Sequence, residues 1–194
     1  GNWDTEPSTD TVIDKDSATT FTYTYTEKEN VTINYEATEG GSVDPENESL
    51  APATGVAEGS TATAAEGYAF VNWTDEEGNV VSWNAEYVPA KVGGLNVAAT
   101  YTANFAEDKN DDDIPDPYQR TITYKVVNGK WNDDTSADKT EVVTLRDAEG
   151  HYDENGTANL ASVPEVGEKP AAGYKAGNWD TEPSTDTVID KDSA

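Results

Sequence analysis

A mostly β protein, built as two small antiparallel modules in series and joined by an acidic calcium-loop linker, is what this sequence predicts. Three observations carry that reading. Threonine, valine and tyrosine are abundant and often alternate, whereas leucine occurs only at Leu50, Leu95, Leu145 and Leu160, which favours strands over amphipathic helices. Only 35% of the 194 residues are hydrophobic, too little for one large core but enough for two thin ones. The chain also repeats itself: Gly1–Ala18 reads GNWDTEPSTDTVIDKDSA, and Gly177–Ala194 reads the same at an offset of 177 − 1 = 176 residues.

Identity over that length, with no functional demand on every position, points to tandem duplication and to a slice of a repeat array. The slice is expected to begin partway through one module and stop partway through another, so that TTFTYTYTEKEN, the segment after Ala18, also continues the array after Ala194. The division expected is 1–30 as the C-terminal part of a preceding module, 31–107 as the first module, 108–119 as the linker, and 120–194 as a second module without its closing strand.

The first module opens on VTINYEATEGGSV, where Val31, Ile33 and Tyr35 share one face of a strand; the second opens on RTITYKVVNGKW, where Ile122, Tyr124 and Val126 do the same. Asn128-Gly129, between Val127 and Lys130, predicts a two-residue hairpin, because a type I′ turn needs positive φ at both central positions. Both modules carry GYxxxNW, as Gly67, Tyr68, Asn72, Trp73 and as Gly173, Tyr174, Asn178, Trp179, with Trp3 in the duplicated copy. Val71 and Trp73 are expected to face Val81 and Trp83 across a hairpin that turns in DEEGN. Each module is expected to close on a strand of alternating aromatics, Tyr101 to Phe105 in the first and Phe21, Tyr23 and Tyr25 for the second. The stretch from Asp147 to Glu168 reads equally as loop or as one short helix.

Charge and missing residue types exclude several functions. With 39 Asp+Glu against 12 Lys+Arg the net charge is −27, so phosphate contacts to nucleic acid or to an anionic membrane are excluded and cations are the favoured small partners. The absence of Cys and Met removes disulfides, thiolate nucleophiles and cysteine-ligated zinc. No apolar run reaches the length of a membrane span. Catalysis has little to work with: His151 is the single histidine, no glycine-rich nucleophile elbow surrounds a serine, and acids are too abundant for any pair to be informative. The expectation is no enzyme, with His151 a loop residue.

Between the modules, EDKNDDDIPDPYQ places oxygen donors at the spacing of a twelve-residue calcium loop: Asp108, Asn110, Asp112, the Ile114 carbonyl, Asp116 and Gln119 at positions 1, 3, 5, 7, 9 and 12. Two positions depart from that pattern. Asp113 stands at position 6 in place of the usual glycine, and Gln119 at position 12 in place of a bidentate Glu, so the expected calcium affinity is weak, about 10⁻⁴ to 10⁻³ M. The plain alternative is a solvated acidic linker; with calcium bound, the ion gathers carboxylates that otherwise repel and stiffens the joint.

DKNDDDIPDPYQ followed by ITYKVVNGKW, together with GYKAGNWDTEP and TFTYTYTEK, resembles tandem repeat modules of secreted, wall-anchored surface proteins of Gram-positive gut bacteria, in the broad group of mucin-binding-protein-like and internalin-type B repeats. Val31 to Phe105 is similar to related short repeats with a glycine-aromatic-tryptophan signature. The resemblance implies β-grasp-like units, an extracellular location at the bacterial cell surface, and a stalk or adhesin role without catalysis. It makes host glycan or mucin a natural partner, for which Trp73, Trp83, Trp131 and Trp179, with Tyr68 and Tyr174, offer an aromatic platform; core packing is the competing use of the same rings, favoured for Trp73 and Trp179. Neighbouring repeat modules are partners of the same kind. The open edge of the second module and the spare strand Thr19–Asn30 predict strand swapping between molecules, a head-to-tail self-association in which the two copies of the duplicated segment compete for one place.

Overall fold

The computed structural model describes residues 1–17 and 20–193, so the outer edges of the duplicated segment at Ala18 and Ala194, and of the spare strand at Thr19, lie outside the described residues. The chain is mostly β. In order it forms β1 (Asn2–Trp3), β2 (Tyr23–Thr24), β3 (Val31–Ala37), β4 (Gly41–Asp44), β5 (Asn47–Leu50), β6 (Ser60–Ala64), β7 (Tyr68–Thr74), β8 (Val80–Ser82), β9 (Glu86–Tyr87) and β10 (Ala99–Glu107). A single 3-10 turn (Asp116–Tyr118) then leads into β11 (Gln119–Tyr124), β12 (Lys139–Thr144), β13 (Ala158–Asn159) and β14 (Val188–Ile189).

The first module is a five-stranded sheet in the order β5-β3-β10-β7-β8 facing a three-stranded sheet in the order β4-β6-β9. Its core gathers Ile33 and Tyr35 of β3, Ala62 of β6, Trp73 of β7 and Ala103 of β10. The period of two seen in VTINYEA places Ile33 and Tyr35 on that face, and in β7 it buries Ala69, Val71 and Trp73 together. Between β3 and β4, Gly40 at φ +96° makes the turn, and Gly41 opens β4. A side-chain carbon on Gly40 would lie 2.1 Å from the Tyr68 ring, and one on Gly41 would lie 2.3 Å from the Phe105 ring. The hairpin expected across DEEGN forms, with Trp73 opposite Ser82 and Thr74 opposite Val80. One pairing departs from the antiparallel expectation: β3 and β10 run parallel, from Ala99 opposite Ile33 to Ala103 opposite Ala37. The intervening chain is long enough for the crossover that parallel neighbours require.

The second module has a separate core of Tyr124, Trp131, Val143, Leu145, Leu160 and Ile189. Two details repeat the first module. In the first, Ile33 stands opposite Glu48 and the Tyr35 hydroxyl donates to the Glu48 carboxylate at 2.5 Å; in the second, Ile122 stands opposite Glu141 and the Tyr124 hydroxyl donates to Glu141 at 3.3 Å. Burial, and then the carboxylate beside it, raises each of these phenols above its ordinary value. Each core also holds a buried tryptophan whose indole N–H donates to an alanine carbonyl, Trp73 to Ala85 at 3.0 Å and Trp131 to Ala137 at 2.8 Å.

The two-residue hairpin expected at Asn128-Gly129 is not formed. Strand β11 ends at Tyr124 and pairs with β12 across a connection that runs from Lys125 to Asp138. Asn128 has φ 56°, but Gly129 is not at positive φ, so the geometry of a type I′ turn is missing. The bend turns sideways, and Ala171 N–H donates to the Asn128 carbonyl while Lys130 N–H donates to that of Lys169. The stretch from Asp147 to Glu168, open from sequence, contains β13 and turns and, among the described residues, no helix.

The duplicated segment is seen twice in one chain. Its local turns recur: Asp10 N–H donates to Ser8 Oγ at 3.0 Å and Asp186 N–H to Ser184 Oγ at 3.1 Å, and Asp14 N–H donates to Ser17 Oγ as Asp190 N–H does to Ser193 Oγ. Its tertiary partners differ. In the first copy β1 pairs with β2, while Val12 and Ile13 are exposed; in the second copy β14 pairs with β13 and Ile189 enters the core.

Ile13 is 59% exposed and Ile189 only 5%, although seventeen residues of sequence around them are identical, which gives an internal control. Ile189→Ala should cost about 2–5 kcal/mol in urea unfolding monitored by tryptophan fluorescence. Ile13→Ala should stay within about 0.5 kcal/mol of the parent. Equal effects would show that β14 does not hold the second core together.

Candidate functional site

The acidic loop is tied down at both ends. Asp108 is buried, and its N–H donates to the Gly67 carbonyl at 2.8 Å, while its carboxylate accepts from Asp112 N–H at 3.2 Å and Asp113 N–H at 2.9 Å. Asp113, which replaces the usual glycine of a calcium loop, has φ 63°, and Asp111 has φ 53°. Aspartate tolerates this region because its short side chain bonds locally, so the sharp turn forms without glycine.

Of the six expected ligands, three converge. The Asp112 carboxylate accepts from the Asn110 amide at 2.9 Å, the Gln119 amide at 2.7 Å and the Ile114 N–H at 3.0 Å. Asp116 turns towards Lys109 N–H at 3.3 Å, and Asp108 spends its oxygens on the backbone. Among the described residues no group of three or more His, Cys, Asp or Glu side chains surrounds one point. Partial burial opposes ionisation of Asp112, but the bonds from Gln119, Ile114 and Asn110 outweigh it and hold the carboxyl below the ordinary aspartate value.

Beside the loop, aromatic rings close the joint. Pro115 is fully buried, Tyr118 stacks on Tyr152 with centroids 5.4 Å apart, and the Arg146 guanidinium lies 4.8 Å from the Tyr152 ring centre. Trp83 of the first module stacks on His151 of the second at 4.4 Å, with the planes 5° apart. His151 is held in place by Asp147, whose carboxylate accepts from the His151 N–H at 2.8 Å and lies 3.3 Å from Nδ1. Sequence reasoning placed His151 in a loop and missed this contact. A lone histidine and a tryptophan so far apart in sequence carry no local signal that they meet.

The tryptophans do not form one platform. Trp73 and Trp131 are fully buried, Trp83 is taken up by the joint, and Trp179 lies against Trp131 with centroids 6.1 Å apart. Trp179 lines a groove of about 550 Å³ in the second module, together with the Asn128-Gly129 bend. Lys125, Lys130, Lys169 and Lys175 line it too, four of the 12 basic residues of the chain. The groove was not visible in sequence because it is assembled from three separated stretches.

Residues 31–109 match the family model described as the divergent InlB B-repeat domain. No curated protein and no solved structure matches the chain. The matched segment is thus similar to an internalin-B-repeat-like module of surface proteins, a repeat family and not an enzyme family.

Asp112 supplies a pH test of the loop. Its pKa is lowered on folding, so its stabilisation is present above the unfolded value near 3.8 and is lost as pH falls through the lower native value. Asp112→Asn should therefore lower the melting temperature at pH 7, by an amount corresponding to less than about 1 kcal/mol for so exposed a group. The gap from the parent should close as the solution is acidified below that range; a gap that persists in strong acid would mean the carboxylate charge is not what holds Gln119 and Asn110.

Proposed function

We propose that this chain is a non-catalytic structural repeat of a bacterial surface protein, located outside the cell and acting as a stalk that carries other parts of its parent. The observation that supports this most directly is the recurrence of one core arrangement. The Ile-x-Tyr strand with its opposed glutamate, seen in the segment that matches the B-repeat family, returns in the second module beyond the match. Two small units with separate cores in series form an array whose length is set by repetition.

Calcium at the joint is the finer part of the proposal. Asp108, Asp112 and Asp116 supply carboxylates on one tight loop, and Asn110 and Gln119 would have to turn their amide oxygens inward, giving up the N–H bonds they now donate to Asp112. That exchange keeps the affinity weak. An adhesin that binds glycan is the rival, and the Trp179 groove is the surface it would use.

The two readings separate in a paired experiment. Calcium at ten times its Kd should stabilise the chain by about 1.4 kcal/mol, read as a rise in melting temperature, and the Asp112→Asn, Asp116→Asn variant should lose that rise. A panel of mucin-type glycans should leave tryptophan fluorescence unchanged. Saturable fluorescence changes on one glycan, abolished by Trp179→Ala, would replace the stalk with a binding module.

A further inference from the structure

We infer that the groove of the second module accepts the strand Phe21–Tyr25 of a second copy of this chain, in the register Asn178 with Thr24 and Trp179 with Tyr23. The inference rests on reading the chain as part of a repeat array. Its register comes from the chain itself.

Gly1–Ser17 and Gly177–Ser193 are identical, and in the first copy the partner is visible. Asn2 pairs with Thr24 and Trp3 with Tyr23; Asp4 N–H donates to the Thr22 carbonyl at 3.0 Å, Thr22 N–H donates to Asp4 Oδ1 at 3.0 Å, and the Tyr23 hydroxyl donates to the Gly1 carbonyl at 3.1 Å. Trp3 and Tyr23 meet edge to face at 5.0 Å. In the second copy the same groups are idle: the main chain of Gly177–Asp180 makes no hydrogen bond to another described residue. An unpaired main chain of known pairing preference is a template for strand addition.

The second copy is also the better acceptor. Trp3 is 41% exposed and, among the described aromatic rings, meets Tyr23, whereas Trp179 already rests on the buried Trp131, so a Tyr23 ring arriving there covers a wider apolar surface. Exchange replaces Asn2–Trp3 by Asn178–Trp179, an identical element, so nothing local is lost. Charge leans the same way. At −27 two copies repel over most of their surfaces, but four lysines line the groove against two glutamates, Glu168 and Glu182, and the arriving segment carries Glu27 and Glu29 on either side of Lys28. Continuing the antiparallel register, in which partner numbers sum to 178 + 24 = 202, sets Glu27 opposite Lys175, since 175 + 27 = 202. Within its own chain the Glu27 carboxylate accepts from Ala53 N–H, from Thr54 N–H at 2.9 Å and from the Thr54 hydroxyl at 2.8 Å, exposed bonds that the exchange gives up for Lys175. Donor and acceptor lie on different parts of the molecule, so the contact is head to tail.

Two substitutions give opposite signs in sedimentation across a concentration series without calcium or glycan, so the outcome is independent of the tests of stalk and lectin readings. The parent should gain mass with concentration. Trp179→Ser should raise the apparent dissociation constant at least tenfold, and Trp3→Ser, which removes the competing internal partner, should lower it. The register is read by Asn178→Cys with Thr24→Cys in a chain that has no other cysteine: oxidation should yield a covalent ladder on a non-reducing gel, at least five times stronger than for Asn178→Cys with Thr26→Cys. A parent monomeric at all concentrations, equal ladders from the two cysteine pairs, the same direction of change for both tryptophan variants, or a cross-linked monomer with an internal disulfide would each overturn the inference.

Discussion

Both modules depend on a buried tryptophan that satisfies its one polar atom within the core. Trp73 and Trp131 are the largest fully buried side chains of their respective cores, and the smaller residues pack around the rings. A ring of that size buried with a free N–H would lose much of what its area contributes, because an unpaired buried donor is costly. The carbonyls of Ala85 and Ala137 remove that cost. Alanine at those positions also lets the main chain come close to the indole. Tyrosine solves the same problem on β3 and β11, where Tyr35 and Tyr124 keep their hydroxyls on Glu48 and Glu141.

The duplicated segment separates what a short sequence determines from what its surroundings determine. Its Ser and Asp turns form in both copies, since side chains bonded two or three residues away need nothing from the rest of the molecule. Strand pairing and burial do not travel with the sequence. Asn2–Trp3 is a strand because Tyr23–Thr24 lies alongside, and Val188–Ile189 is a strand because Ala158–Asn159 does. Each copy therefore makes tertiary contacts that the other does not.

Much of the architecture could be read from the chain, because alternation of small polar and β-branched residues is a local signal. Ile33 and Tyr35, and Ile122, Tyr124 and Val126, pack into their cores as their spacing requires, with Val31 half-buried at the start of β3, and the two cores are separate. Where the reading failed, a distant partner had decided the matter. Asn128-Gly129 has the residues of a tight hairpin, but Thr121 and its neighbours pair with Val142 and its neighbours, so the bend serves Lys169–Ala171 instead. The parallel pairing of β3 with β10 carries no signature in either strand. In the joint, the spacing of Asp108, Asn110 and Asp112 foretold a tight loop, while the stacking of Trp83 on His151 depended on how the modules meet.

The parallel pair has a mechanical meaning. Strand β3 brings the chain into the first module and its immediate neighbour β10 carries it out, side by side and pointing the same way. A pull on the two ends of the module therefore drags β3 and β10 in opposite directions along their shared length. Their evenly spaced hydrogen bonds lie across the line of force and take it together, in shear, instead of opening one after another like a zip. Rupture under load is governed by the unfolding rate and not by equilibrium stability, so what this unit withstands under traction is set by the β3–β10 pair and not by the size of its interior.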